Sequence, residues 1–232
     1  MGPLRSSSRR SCIIWQSLLK SARLNPDAVV LHAGSRLQFG RIETIPVDEN
    51  HPLRPRTPYA MNKTAAENMY LFYHQIHGIR CVMFRIANPY GPRSQMRHSK
   101  YSMVNWFIRQ AMDDKTIRVF GDGRQVRDYI YVDDLAEAFI RAAVTEACWG
   151  EVFNVGSGVP TSIRALAQQV LEVVGSKAEW LYKESQEAGT DSMCADVALA
   201  SHKLGFSPRV RLKDGLGRMI ARDPRFQAGR PE

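Results

Sequence analysis

The stretch Pro58-Tyr59-Ala60-Met61-Asn62-Lys63 decides how the chain is read, because Tyr59 and Lys63 stand four residues apart. On an α-helix such positions share one face, so a phenol and an ammonium become neighbours. That pair can move a proton. A free tyrosine ionises near pH 10, so holding its phenolate near neutrality takes about 4 kcal/mol of preferential stabilisation. A cation about 4 Å away, at an effective dielectric of about 20, supplies energy of that order. The competing reading is two ordinary residues on a solvated helix face, and the flanking sequence has to discriminate.

Upstream, Asp27-Ala28-Val29-Val30-Leu31-His32-Ala33 reads as a short buried strand running into Gly34-Ser35 and on to Phe39-Gly40. A hydroxyl at the carboxyl end of such a strand faces the crevice where open α/β sheets bind ligands. Downstream, Ile79-Arg80-Cys81-Val82-Met83-Phe84-Arg85-Ile86 is a second apolar strand, followed by the loop Ala87-Asn88-Pro89-Tyr90-Gly91-Pro92-Arg93. The order is strand, serine, loop, helix with tyrosine and lysine, strand, polar loop. In that order the chain resembles the extended short-chain dehydrogenase/reductase family, the NAD-dependent epimerases and dehydratases of nucleotide sugars. Further on, Gly121-Asp122-Gly123-Arg124-Gln125-Val126-Arg127-Asp128-Tyr129-Ile130-Tyr131-Val132-Asp133-Asp134 is similar to another segment of that family, and Glu151-Val152-Phe153-Asn154-Val155-Gly156 to the strand after it. The resemblance covers about residues 16 to 221.

The fold it implies is α/β: a partial Rossmann-like, doubly wound parallel sheet with a small C-terminal α/β substrate-binding region. Residues 1–12 are expected to be a disordered segment. Residues 13–232 form a partial epimerase/dehydratase domain, with the Rossmann part at about 13–90 and the substrate-binding region at about 91–232. The family begins with a strand and a G-x-x-G-x-x-G turn that holds the dinucleotide pyrophosphate, and no such segment precedes Tyr59. The expectation is an N-terminally truncated member whose translation begins inside a longer ancestral gene. Gly156-Ser157-Gly158 is the one glycine cluster in reach, but it lacks a third glycine, and the adjacent Thr161 or Ser162 reads as a helix N-cap.

By resemblance, Tyr59 is the general acid/base on a sugar hydroxyl. Lys63 holds the cofactor ribose and lowers the pKa of Tyr59, and Ser35 hydrogen-bonds the reacting oxygen. Ile86 borders the cofactor, which is NAD or NADP with NAD favoured. Asn88 touches the substrate's diphosphate or sugar, the backbone at Val119 and Phe120 borders the base, and Arg127 either clamps a phosphate or pairs with Asp128 or Asp133. Two departures matter. Arg36 and Leu37 stand where the dehydratases carry an acid after the serine, and an arginine that grips diphosphate is absent ahead of Ala195-Asp196. The function implied is a nucleotide-sugar epimerase, impaired in this chain. The alternatives are a catalytically inactive remnant that binds a nucleotide sugar or a protein partner and, third, a dehydratase or ketoreductase.

Composition narrows the classes. With 232 residues and 44% hydrophobic content the chain can bury a core. Of the net charge of +9, five units lie in residues 1–26 (Arg5, Arg9, Arg10, Lys20, Arg23, with no acid), leaving +4 on the body. That surplus suits an anionic small molecule, and no basic, aromatic-interleaved stripe speaks for nucleic acid. Cys12, Cys81, Cys148 and Cys194 lack metal or disulfide spacing, so free thiols, no metal and a cytoplasmic setting are expected. His74 and His77 read as surface or capping residues before Gly78. No apolar run is long enough for a membrane span, and a homodimer through the helix bearing Tyr59 is a family-level expectation.

The remaining elements are predicted as helices at about 13–24, 101–113, 133–145, 162–174 and 212–221, a strand at 117–120, and an irregular polar stretch at 181–196.

Overall fold

The structure is a computed structural model that describes residues 15–94, 102–183 and 192–227. The expected segment at 1–12, Cys12 included, lies outside the described residues.

A helix over 15–24 (α1) leads into strand β1 (Val29–Ala33). Helix α2 (Pro58–His77) then returns the chain to β2 (Arg80–Ile86). Both ends of α2 are written locally. Thr57 accepts a hydrogen bond from the Ala60 N–H at 3.2 Å, with Pro58 at the first helical position, and Gly78 closes the helix at φ 65°. As expected, His74 and His77 lie in the last turn of the helix, and the Gly78 N–H bonds the His74 carbonyl.

Short strands follow at β3 (Asn88–Tyr90), β4 (Ile117–Phe120), β5 (Val126–Arg127) and β6 (Tyr129–Tyr131), with α3 (Met103–Met112) between β3 and β4. Then come α4 (Val132–Val144), β7 (Val152–Val155), β8 (Thr161–Ser162), α5 (Ile163–Val174), β9 (Trp180–Lys183), α6 (Ala198–Leu204), α7 (Leu212–Arg222) and α8 (Pro224–Gln227).

The main sheet has the order β1-β2-β7, all parallel, with Val30 opposite Cys81 and Phe84 opposite Phe153. Period-two alternation divides β2 between two cores. Cys81 and Met83 pack with Leu19 and Ala22 of α1 and with Ala66 and Tyr70 of α2. Val82, Phe84 and Ile86 pack with Ala138 and Ala142 of α4 and with Ala200 and Leu204 of α6. Helices therefore cover both faces, which is why β2 reads as a continuous apolar run. A third core joins α3, α5, α7 and β4, and it belongs to the C-terminal part of the chain.

The stretch expected to be irregular at 181–196 is corrected in part. Trp180–Lys183 is a strand that pairs in parallel with Ile117–Phe120, and Ala195 bridges Val47. Pairing across 60 residues cannot be read from local polarity. Residues 184–191 lie outside the described residues. Also unforeseen were β3 with β6, β5 with β8, and helix α6.

Candidate active site

The site lies at the carboxyl end of β1. Gly34 has to be glycine, because a Cβ there would collide with the Phe84 carbonyl oxygen and the Gln38 amide. Ser35 then caps a 3-10 turn (Arg36–Gln38). Its hydroxyl accepts from the Leu37 N–H at 3.3 Å, and its own N–H donates to Gln38 Oε1 at 2.7 Å. This reciprocal capping box has a sequence signature, S-x-x-Q, that the motif reading passed over.

Beneath the turn lies a buried polar network. Gln38 Nε2 donates to Glu67 Oε2 at 2.8 Å. Arg85 reaches both oxygens of Glu67, at 3.2 Å from Nε and 2.6 Å from Nη2, and donates Nη1 to the Glu49 carbonyl at 2.7 Å. Arg85 follows Cys81 and Met83 on the α2 side of the sheet, and Glu67 lies one helical turn beyond Lys63. The spacing Lys63 to Glu67 and the strand parity of Arg85 could have exposed this pair.

Lys63 donates Nζ to the Ala33 carbonyl at 2.6 Å, which ties helix α2 to the strand end two residues before Ser35. Burial lowers its pKa. Its ammonium stands 5.8 Å from the centroid of the Tyr59 ring, at the outer edge of cation–π contact. Tyr59 is about half exposed, at 53%. The described arrangement therefore brings Lys63 to the serine turn and sets Tyr59 one turn earlier on the same helix.

His32, in the strand beside Ala33, is a neighbour the motif reading did not single out. Burial first, and the Lys63 charge second, lower its pKa to about 4. Its ring contacts Tyr70 at 5.1 Å between centroids.

The expected substrate residues form a second group. Arg36 donates Nε to Asn88 Oδ1 at 2.9 Å, and Asn88 Nδ2 donates to the Asp128 carbonyl at 2.8 Å. Burial, and next the like charge of Arg127, lower the Arg36 pKa to about 10. Arg127 is 5% exposed and donates Nη1 to the Val126 carbonyl at 2.8 Å. The carboxylates offered to it by sequence are engaged elsewhere: Asp133 with Arg222 at 2.8 Å, and Asp128 with backbone amides. Val119 is fully buried, while Phe120 is half exposed. Ile86 ends β2 against Val155.

The Gly156-Ser157-Gly158 cluster has an internal occupant. One carboxylate of Asp128 accepts from the Ser157 N–H at 2.6 Å, the Ser157 hydroxyl at 2.7 Å, and the N–H groups of Gly158 and Ala195 at 3.1 Å. These amides form an anion-binding concavity of the kind that elsewhere takes phosphate. Here the protein's own side chain fills it. Ser162, as expected, caps α5 through the Ala165 N–H at 3.1 Å, and Gly175 ends that helix at φ 72°.

The free thiols of Cys81, Cys148 and Cys194 are all buried. Among the described residues no helix is long and apolar enough to cross a membrane, and no cluster of three or more His, Cys, Asp or Glu could hold a metal ion.

Residues 8–156 match the model of the NAD dependent epimerase/dehydratase family. The chain belongs to that family. Among family relatives, the UDP-glucose 4-epimerase of Mycolicibacterium smegmatis is 33% identical over 204 residues, covering 88% of this chain and 64% of that protein. A dTDP-glucose 4,6-dehydratase of Actinoplanes is 31% identical over 207 residues, covering 89% and 63%. The crystal structure of UDP-glucose 4-epimerase from Thermotoga maritima, with UDP-glucose, superposes at a TM-score of 0.84 with 27% identity, over 95% of this chain and 74% of that one. The chain thus spans a little under two thirds of the length of the curated relatives it matches.

Proposed function

We propose that the chain carries the catalytic and substrate-binding part of an NAD-dependent nucleotide-sugar epimerase. The observation that carries this reading is the anchoring of Lys63 on the Ala33 carbonyl, which sets the Tyr59 helix against the Ser35 turn at the carboxyl end of a parallel strand. In this reading Tyr59 takes the proton from a sugar hydroxyl and later returns it. Lys63, desolvated and fixed, keeps a positive charge near the Tyr59 ring. Ser35 offers its hydroxyl to the reacting oxygen from a turn held rigid by Gln38 and Glu67.

Tyr59, Lys63 and Ile86 suit the ribose and nicotinamide end of NAD. When bound, the dinucleotide supplies hydride acceptance and return at the sugar carbon. The Gly156-Ser157-Gly158 cluster is not open to its pyrophosphate, because Asp128 fills it. The 232 residues alone are therefore expected to hold NAD weakly. The same observation favours the second reading, an inactive member that still binds nucleotide sugar. We place it in the cytoplasm, as a homodimer through α2, on which Phe72 and Ile76 are exposed.

The test is calorimetric titration of the chain with UDP-glucose and with NAD, followed by assay of the sugar for epimerisation. Measurable UDP-glucose binding and a NAD affinity weaker than micromolar, about 8 kcal/mol, are expected. Absence of any nucleotide-sugar binding would sink the substrate reading. Submicromolar NAD binding would sink the impairment. Turnover abolished by Tyr59→Phe distinguishes the epimerase from the inactive member.

A further inference from the structure

Arg93 stands where a turn calls for glycine. The chain turns over Gly91-Pro92-Arg93-Ser94 as it leaves β3, and Arg93 takes φ 67°, in the left-handed region that glycine or asparagine usually fills at the third position of such a turn. What holds it there comes from far along the chain. Its N–H donates to Asp223 Oδ2 at 2.6 Å, and Asp223 is fully buried. Arg225 grips both oxygens of the same carboxylate, Oδ1 from Nε at 2.9 Å and Oδ2 from Nη2 at 2.6 Å, and Nη2 also donates to the Ser94 carbonyl at 2.8 Å. Phe226 is anchored, 1% exposed, in the core that joins α3, α5, α7 and β4. Asp223 and α8 therefore form a strap across the turn, with charge-assisted hydrogen bonds at one end and a buried ring at the other.

The turn continues directly from the strand that carries Asn88. In that strand Asn88 accepts from Arg36 Nε, beside the Ser35 turn, and donates to the Asp128 carbonyl. At Gly91 the backbone lies so close to Val132 that a Cβ would overlap its side chain, so the exit from β3 has no slack. A non-glycine residue keeps a left-handed conformation only while its surroundings enforce it. Once released, Arg93 would redirect a strand only three residues long.

We propose that Asp223 is a positioning residue for the candidate site: by holding Arg93 in the left-handed conformation it fixes the turn after β3, and so seats Asn88 where a nucleotide sugar meets the Ser35 turn. This rests on the nucleotide-sugar reading above. Asp223 acts through the Arg93 backbone and touches no ligand itself.

The test compares Asp223→Asn, Arg93→Gly and the double variant in the whole chain. Each is titrated with UDP-glucose by calorimetry, melted without ligand, and followed by hydrogen–deuterium exchange of peptides over residues 88–94. In Asp223→Asn an amide NH2 faces donors, and UDP-glucose affinity is expected to fall about tenfold while the turn exchanges faster. Arg93→Gly alone is expected to bind within about twofold of wild type, because glycine holds a positive φ unaided. For the same reason the double variant is expected to recover most of the lost affinity, a coupling that a general loss of stability would not produce. Unchanged affinity in Asp223→Asn, or a double variant no better than Asp223→Asn alone, would overturn the proposal whatever the melting temperature does. If wild type binds no UDP-glucose, the nucleotide-sugar reading fails. Faster exchange in Asp223→Asn, slowed again in the double variant, then keeps the strap, and unchanged exchange removes it as well.

Discussion

The turn at Ser35 separates two arrangements of buried charge that obey opposite rules. Below it, Glu67 and Arg85 share two hydrogen bonds, Gln38 bridges them to the Ser35 amide, and the Glu49 carbonyl takes a further Arg85 donor. Beside it, Arg36 meets Arg127 with a neutral amide as its partner. The first set is complete within the protein and holds the turn in place. In the second, Arg36 is held by a neutral amide and pairs with no carboxylate among the described residues. Asp128 belongs with the first kind, since its buried carboxylate is saturated by backbone amides and a hydroxyl.

Four changes break or sharpen this contrast. Glu67→Ala leaves Arg85 buried and uncompensated, and chemical denaturation should show a loss of about 3–5 kcal/mol. A loss below about 1 kcal/mol would place the pair with ordinary surface bridges.

Acid probes the edge of the same region, where His32 faces Lys63, Glu67 and Tyr70. Its folded pKa of about 4 lies below the unfolded value of about 6.5, so the unfolded chain binds the extra proton first. Stability is fully present above pH 6.5 and is lost as pH falls towards 4, by about 3 kcal/mol. His32→Asn should flatten that slope, as followed by denaturation at stepped pH.

Gln38→Ala removes the acceptor of the Ser35 N–H and a donor to Glu67, and should cost about 1–2 kcal/mol. Rescue by Gln38→Glu is not expected, because a second carboxylate would face Glu67. Arg36→Gln is the smallest, with unliganded stability within about 0.5 kcal/mol of wild type or slightly above it. A large loss there would erase the distinction between the two arrangements.

The elements themselves were legible wherever their signals are local. Thr57-Pro58 and Gly78 bracket α2, Ser162 and Gly175 bracket α5, and the apolar run at 80–86 announces a strand covered on both faces. Family motifs drew attention to Ser35, Tyr59 and Lys63, which the fold brings to the carboxyl end of β1. The strand at 180–183 was missed because only its pairing with Ile117–Phe120 makes it a strand. The polar network under Ser35 was missed because Gln38, Glu67 and Arg85 come from three separate elements.

What this sequence determines alone is the order of its helices and strands and the motifs riding on them, since caps, periodicity and i,i+4 spacing act within a few residues. Tertiary structure alone decides which charges meet. Asp128 fills the glycine cluster instead of leaving it to a phosphate, and Arg36 is set against Arg127 instead of a carboxylate. Both outcomes depend on long-range packing, and the low dielectric of that packed interior makes each juxtaposition energetically decisive.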